Sequence, residues 1–235
     1  MEKNELKPHL KKQWCISRMT GEFIARMEQI LWLYNQPYDP KYPVICFDER
    51  PCFLIGDKVD PIPMRNGKVK KEHYSYEKNG SCVLLMAIEP LTGKRFGKVY
   101  KQRRKQEYAD FMLELSLLYS DAHRIRLVQD NLNTHNSSSF YQNMEAEKAF
   151  ELTQKFDFYF TPKSASWLNM VEIEFSALSK QCLSDRIPSQ EELEKRVMAV
   201  IKDRNDKKVK FKWQFTKENA RDIMHKSYNQ ILTKT

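Results

Sequence analysis

Two apolar runs in this chain end on an aspartate: "VICF" leads into Asp48 and "RLVQ" leads into Asp130. In an α/β sheet, functional groups collect at the carboxyl ends of parallel strands, so adjacent strands would bring these two carboxylates together. Like charges a few ångströms apart repel unless a cation lies between them. Carboxylate oxygens suit Mg²⁺ or Mn²⁺. A third acid would complete a two-metal site, in which one ion activates an attacking hydroxyl and the other steadies the leaving oxygen of an in-line displacement at phosphorus. Glu172 and Glu174 both offer that acid. They flank an apolar helical stripe (Leu168, Val171, Phe175, Leu178, Cys182) on opposite sides, each about 80° from its centre. Helical geometry leaves the choice open.

The neighbours of these acids have plainer readings. Asp130 opens "DNLNTH", a run of the residues that build turns and cap helices. Asn133 is assigned to that turn, while Asn131 and His135 either share in the same loop hydrogen bonding and capping or orient the acids or touch a nucleic acid. Glu49 points to the opposite strand face from Asp48 and is read as structural.

The excess charge is concentrated. The chain carries +9 overall, and between Pro61 and Gln106 lie 12 Lys and Arg against 3 Glu, which accounts for the whole excess. The clusters "NGKVKKEHYSYEK" and "KVYKQRRK" interleave with Tyr74, Tyr76 and Tyr100, the pattern of a surface that meets phosphates and stacks on bases. Candidate DNA contacts there are Arg65, Lys68, Lys70 and Lys71, then Lys101, Arg103 and Arg104; Lys163, just after Pro162, is another.

For the acids to meet, the strands must be built in the right order. Residues 20 to 34 place Phe23, Met27, Ile30 and Tyr34 at helical spacing after a Thr20 cap. Prolines 37, 40 and 43 then break the chain before "VICFDE", a short central strand stopping at Asp48. The runs "SCVLLMAIEP" and "KRFGKVYKQ", joined by a Thr92-Gly93 turn, predict a hairpin. Helix "QEYADFMLELSLLYSD", strand "RIRLVQ", one helix from about Ser138 to Lys155, strand "FDFYFTP" and helix "ASWLNMVEIEFSALSKQCL" follow. This order predicts a mixed sheet, antiparallel early and parallel late. Beyond Pro188, Ser189 caps a surface helix with an apolar face through Leu193, Val197 and Val200. The aromatic, basic "FKWQFTKENARDIMHKSY" is either a packing arm or a further DNA contact, and Trp167 is assigned to the core.

Composition narrows the class. Five cysteines, at 15, 46, 52, 82 and 182, form no C-x-x-C pair, so reduced thiols are expected, with Cys46 and Cys82 as small core residues and no zinc site. No apolar run approaches the roughly 18 to 20 residues of a membrane span, and "MEKNELKPHLKK" lacks a signal-peptide core. A soluble, cytoplasmic protein is expected.

"CFDE", "QDNLNTH" and "TPKSASWLNMVEIEFSAL" resemble the three signature blocks of the mariner-like superfamily of DDE transposases, in its bacterial insertion-sequence branch. The likeness runs from about Trp14 to the C-terminal aromatic segment. It implies a ribonuclease H-like α/β fold, a mixed five-stranded sheet flanked by helices, with catalytic metal ligands Asp48, Asp130 and Glu172. Glu172 is preferred because "NMVE" falls where the family has its "N-P-x-E"-like turn into a helix. The resemblance also implies two Mg²⁺ or Mn²⁺ ions, hydrolysis at transposon ends followed by 3′-hydroxyl strand transfer, double-stranded DNA as partner, a homodimer, and a nucleoid-associated site of action in bacteria. Two features depart from the pattern: 41 residues separate Asp130 from Glu172, more than in eukaryotic relatives, and the helix-turn-helix region of full-length relatives is not here. Residues 1–36 are therefore expected to be a tail and linker helix, and 37–235 the catalytic domain with a helical, basic extension. The competing readings are a structure-selective nuclease of the same fold and a non-catalytic DNA-binding descendant.

Overall fold

In the computed structural model, which describes residues 19–232, Thr20 caps helix α1 (Gly21–Tyr34) by accepting the Phe23 amide at 3.1 Å. Two strands of 14 residues follow, β1 (Val44–Asp57) and β2 (Tyr76–Glu89), and then β3 (Lys94–Tyr100). Helix α2 (Lys105–Leu118), β4 (Ile125–Gln129), α3 (Ser138–Asn143), α4 (Ala146–Lys155) and β5 (Phe156–Phe160) come next. The chain ends with α5 (Val171–Gln181), α6 (Gln190–Asp206), α7 (Lys217–Ile223) and α8 (His225–Leu232). Trp14 and Cys15 lie outside the described residues.

The sheet is five-stranded in the order β3-β2-β1-β4-β5. As expected, β1 and β2, and β2 and β3, pair antiparallel, whereas β4 runs parallel to both β1 and β5. The turn between β2 and β3 uses Gly93 at φ +79°, where an added Cβ would stand 2.7 Å from the Val209 carbonyl oxygen. Only glycine meets both demands.

Alternate residues of β1 face two separate cores. Cys46, Cys52 and Leu54 pack with α1, α5 and α6, while Ile45 and Phe47 pack with α2, α3 and α4. Helix α6 covers the first core through Leu193, Val197 and Ile201, with the expected Val200 half-buried beside them, so the helix is half inside the fold rather than on its surface. It comes close to the sheet at Gly97, whose added Cβ would meet the Ile201 Cδ1 at 2.6 Å. Phe211, Trp213 and Phe215 pack against the same core, which assigns the C-terminal aromatic segment to packing.

Three expectations need correcting. β1 does not stop at Asp48 but continues nine residues further, because β2 accompanies it to Asp57 while β4 reaches only Cys46. Pro51 fits there, since past Cys46 one edge of β1 has no strand partner to lose. The helix expected over residues 138 to 155 is two, because Met144 (φ −149°, ψ 166°) and Glu145 (ψ 143°) leave helical backbone between them. Trp167 is 38% exposed, its ring set T-shaped against Phe215, so it is not core.

Candidate active site

Asp48 lies on β1 where β4 ends as its neighbour, on the α5-facing side of the sheet. Its Oδ1 accepts the Glu49 amide at 2.8 Å, and the buried Asn169 amide donates to the Phe47 carbonyl at 2.8 Å and approaches Asp48 Oδ2 at 3.4 Å. Asp130 follows the last residue of β4, and Glu172 stands in the first turn of α5. The Asn169 carbonyl accepts the Glu172 amide at 3.1 Å, so one turn fixes both the Asp48 neighbour and the start of the helix.

Asp48 lies within the electrostatic reach of both Asp130 and Glu172. Burial raises the Asp48 carboxyl to about 7, and the negative charges of Asp130 and Glu172 push the same way, against its backbone hydrogen bond. Burial would likewise raise Asp130, but its hydrogen bond and charge interaction with His135 hold it below the usual value. Burial would lower His135, yet Asp130 and Glu49 raise it to about 9. His135 acts on Asp48 through its charge alone, whereas it is hydrogen-bonded to Asp130. Among the described residues no three acid, imidazole or thiol groups form a ready coordination cluster. The acids share one field rather than a closed cage.

That field fits a divalent cation. Hard oxygen donors from three elements suit Mg²⁺ or Mn²⁺, and a cation would offset both the burial that chiefly holds the Asp48 proton in place and the repulsion that adds to it. The sign follows from linkage. Without metal, folding takes up a proton at Asp48 between about pH 4 and 7, so this group's contribution to stability falls across that window. A bound cation displaces that proton, so Mn²⁺ affinity is expected to weaken about tenfold per pH unit below pH 7 and to level off above it, as titration calorimetry would record.

Glu174 has a different environment. It is fully buried, ion-paired to Arg95 at 2.9 Å and to Arg204 at 2.7 Å. Glu172 is exposed on the other side of the same helix. The two glutamates that helical geometry left equivalent are separated by what β3 and α6 bring to them.

Residues 43–194, more than half of the chain, match the family described as DDE superfamily endonuclease. The chain belongs to this family. Solved structures agree with the ribonuclease H-like fold of this DDE domain. The Mos1 mariner paired-end complex with Mn matches at TM-score 0.57 and 12% identity, covering 95% of this chain and 66% of that one. The Mos1 strand transfer complex matches at 0.55 and 12%, covering 96% and 67%, and the Mos1 paired-end complex with Mg at 0.52 and 13%, covering 99% and 67%. The chain thus spans about two thirds of the Mos1 chains, and at this identity the likeness is one of fold. A search of curated proteins found no match.

The DDE domain distributes its expected DNA contacts unevenly. Arg65 and Lys68 exchange backbone hydrogen bonds at 3.1 and 2.8 Å across an exposed turn with Gly67 at φ +72°, and Lys71 closes that excursion against Ile62. This excursion leaves the sheet at Asp57, nine strand positions or about 30 Å from Asp48. Lys70 pairs with Glu72 at 2.7 Å, and Arg104 with Glu107 in the α2 capping box at 2.8 Å. Lys101 is exposed just after β3, and Arg103 reaches Glu49 at 2.6 Å. Lys163 alone of the eight lines a cleft of about 900 Å³ that opens at Asp130 and Asn131 and is bounded by Thr20, Arg26 and the loop from Thr161 to Ser166. In that loop Ser164 is held at φ +62°.

Sequence reasoning missed two residues of the site. Asn169 was visible only as the first letter of "NMVE". Glu49, assigned a structural role, accepts from His135 at 3.4 Å on the far side of the sheet. Asn133 sits in the turn after Asp130, which the His135 amide closes on the Leu132 carbonyl at 2.9 Å, and Asn136 then starts the next helix, its Oδ1 accepting the Ser138 amide at 3.0 Å. Asn131 is exposed at the cleft mouth. Among the described residues no helix is long and apolar enough to cross a membrane.

Proposed function

We propose that this DDE domain is the catalytic part of a transposase, with Asp48, Asp130 and Glu172 as ligands of two Mg²⁺ or Mn²⁺ ions. The observation that carries the reading is that Asp48 and Asp130 stand level, two residues beyond the parallel Cys46–Val128 pair, while Asn169, three residues before Glu172, approaches Asp48 at 3.4 Å. The bound ions would supply Lewis-acid stabilisation of the attacking and leaving oxygens at phosphorus. Asp48 gives up its proton on loading, Asn169 fixes its orientation, and His135 keeps Asp130 ionised. Water attacks phosphorus, the bond to the 3′-oxygen breaks, and a free 3′-hydroxyl and a 5′-phosphate are left. That hydroxyl then attacks a phosphodiester of target DNA, releasing the target's own 3′-hydroxyl. No protein nucleophile enters.

Double-stranded DNA is the proposed partner, handled by a homodimer that holds two ends together. The strand entering the acids would lie in the cleft beside Asp130, with Lys163 at its phosphates. The proposed division is a tail and linker helix over residues 1–36, of which 1–18 lie outside the described residues and α1 packs into the first core, and a catalytic domain with its extension over 37–235; a nucleoid-associated place in the bacterial cytoplasm suits such a substrate. The test is incubation with Mn²⁺ and DNA carrying the inverted repeats that flank the coding sequence. Joined products support the proposal, whereas cleavage alone supports a nuclease and binding alone a non-catalytic module. Lys163→Ala is expected to weaken binding evenly across sequences and to reduce the salt slope by about 1, measured by fluorescence anisotropy at several salt concentrations.

A further inference from the structure

His135 lies behind the sheet, on the face away from Asp48, and is 1% exposed. Its ring stacks on Tyr108 at 5.0 Å and meets Phe47 edge-on at 5.2 Å. Its carbonyl accepts the Gln129 amide at 2.9 Å, and the Gln129 carbonyl oxygen accepts the Tyr108 hydroxyl at 2.9 Å. The imidazole is therefore fixed by packing and by the strand that ends at Asp130. Its Nδ1 hydrogen-bonds Asp130 Oδ1, and its Nε2 faces Glu49 Oε2 at 3.4 Å. The other Glu49 oxygen accepts from Arg103 Nη1 at 2.6 Å. The Glu49 side chain is 6% exposed and that of Arg103 49%, so an unbroken series of contacts runs from solvent to the acid.

The geometry points to Arg103, Glu49 and His135 as positioning residues that hold the Asp130 carboxylate in the orientation a divalent cation requires. This rests on the reading of Asp130 as a metal ligand. The Glu49 carboxylate lies between the two, one oxygen on Arg103 and the other facing the His135 ring, so Arg103 fixes the group that fixes the imidazole. Arg103 thus serves Asp130 even when no DNA is bound, a role different from the phosphate contact that its place in the basic window implied. Partners that orient a ligand in this way change metal affinity by roughly 10–100-fold when removed.

The test uses the full chain without DNA, so that loss of a phosphate contact cannot register. Free Mn²⁺ is titrated by electron paramagnetic resonance for the parent, Glu49→Gln, Arg103→Gln, Arg103→Lys and Asp130→Ala, with thermal melting in parallel. Glu49→Gln is expected to weaken Mn²⁺ binding about 10–100-fold, and Arg103→Gln several-fold, with Arg103→Gln melting as the parent does because its side chain is half exposed. Arg103→Lys should recover most of the affinity, because only one guanidinium nitrogen contacts Glu49. Parent-like Mn²⁺ affinity in both Glu49→Gln and Arg103→Gln, with Asp130→Ala impaired, would overturn the positioning role alone. Parent-like affinity in Asp130→Ala would overturn the ligand assignment itself, and the inference with it.

Discussion

Glu172→Gln is expected to melt like the parent and to lose Mn²⁺-dependent DNA cleavage by about a thousandfold or more. The first half follows from exposure: the side chain is on the solvent side of α5, and the turn that starts the helix is held by its backbone amide, which the substitution keeps. Such surface changes stay within about 0.5 kcal/mol. The second half follows from the proposed chemistry, since a misplaced metal forfeits several kcal/mol of charge stabilisation and about 1.4 kcal/mol is tenfold in rate. Single-turnover cleavage of labelled duplex beside a thermal melt measures both. Cleavage within tenfold of the parent would remove Glu172 from the site.

Glu174→Gln, two residues on, should do the reverse and act first on stability. Its carboxylate is the shared partner of Arg95, whose side chain is fully buried, and Arg204, whose side chain is 12% exposed. Burial already pulls the Arg95 guanidinium below its usual value, which shows that the site is costly for charge. Removing the partner leaves buried cations uncompensated, a loss of about 3–5 kcal/mol. For a chain of 235 residues that is a fall in melting temperature of roughly 6–20 °C. Calorimetry on both glutamine variants would separate the two roles. Equal melting temperatures would mean that the buried cations find another partner.

This pair also shows where sequence was informative and where it stopped. The Thr20 and Ser189 caps were legible because each depends on neighbours within a few residues, and the strands before Asp130 and from Phe156 because a short apolar run reads as a buried strand whatever pairs with it. The continuation of β1 past Asp48 was not, because "DERPCFLIGD" takes its strand conformation from β2, a partner 30 or so positions away. Helical angle could not choose between Glu172 and Glu174, since Arg95 and Arg204 arrive from β3 and α6. Glu49 was correctly placed on the opposite face from Asp48, but nothing local showed that His135 would occupy that face as well. The proposal of Asp48 and Asp130 came from the ends of two apolar runs, and that of Glu172 from family likeness.

The uneven pairing of β1 has a consequence for solvent exchange. Val44 to Cys46 have strands on both sides, so their amides should be among the slowest to take up deuterium, opening only with the whole fold. Beyond them β4 is gone, and the Glu49 amide is protected by the Asp48 carboxylate instead. A cation that draws that carboxylate away would leave the amide to water. The exchange rate of one backbone proton, followed by NMR, would then report metal loading directly, in a protein with no DNA and no turnover.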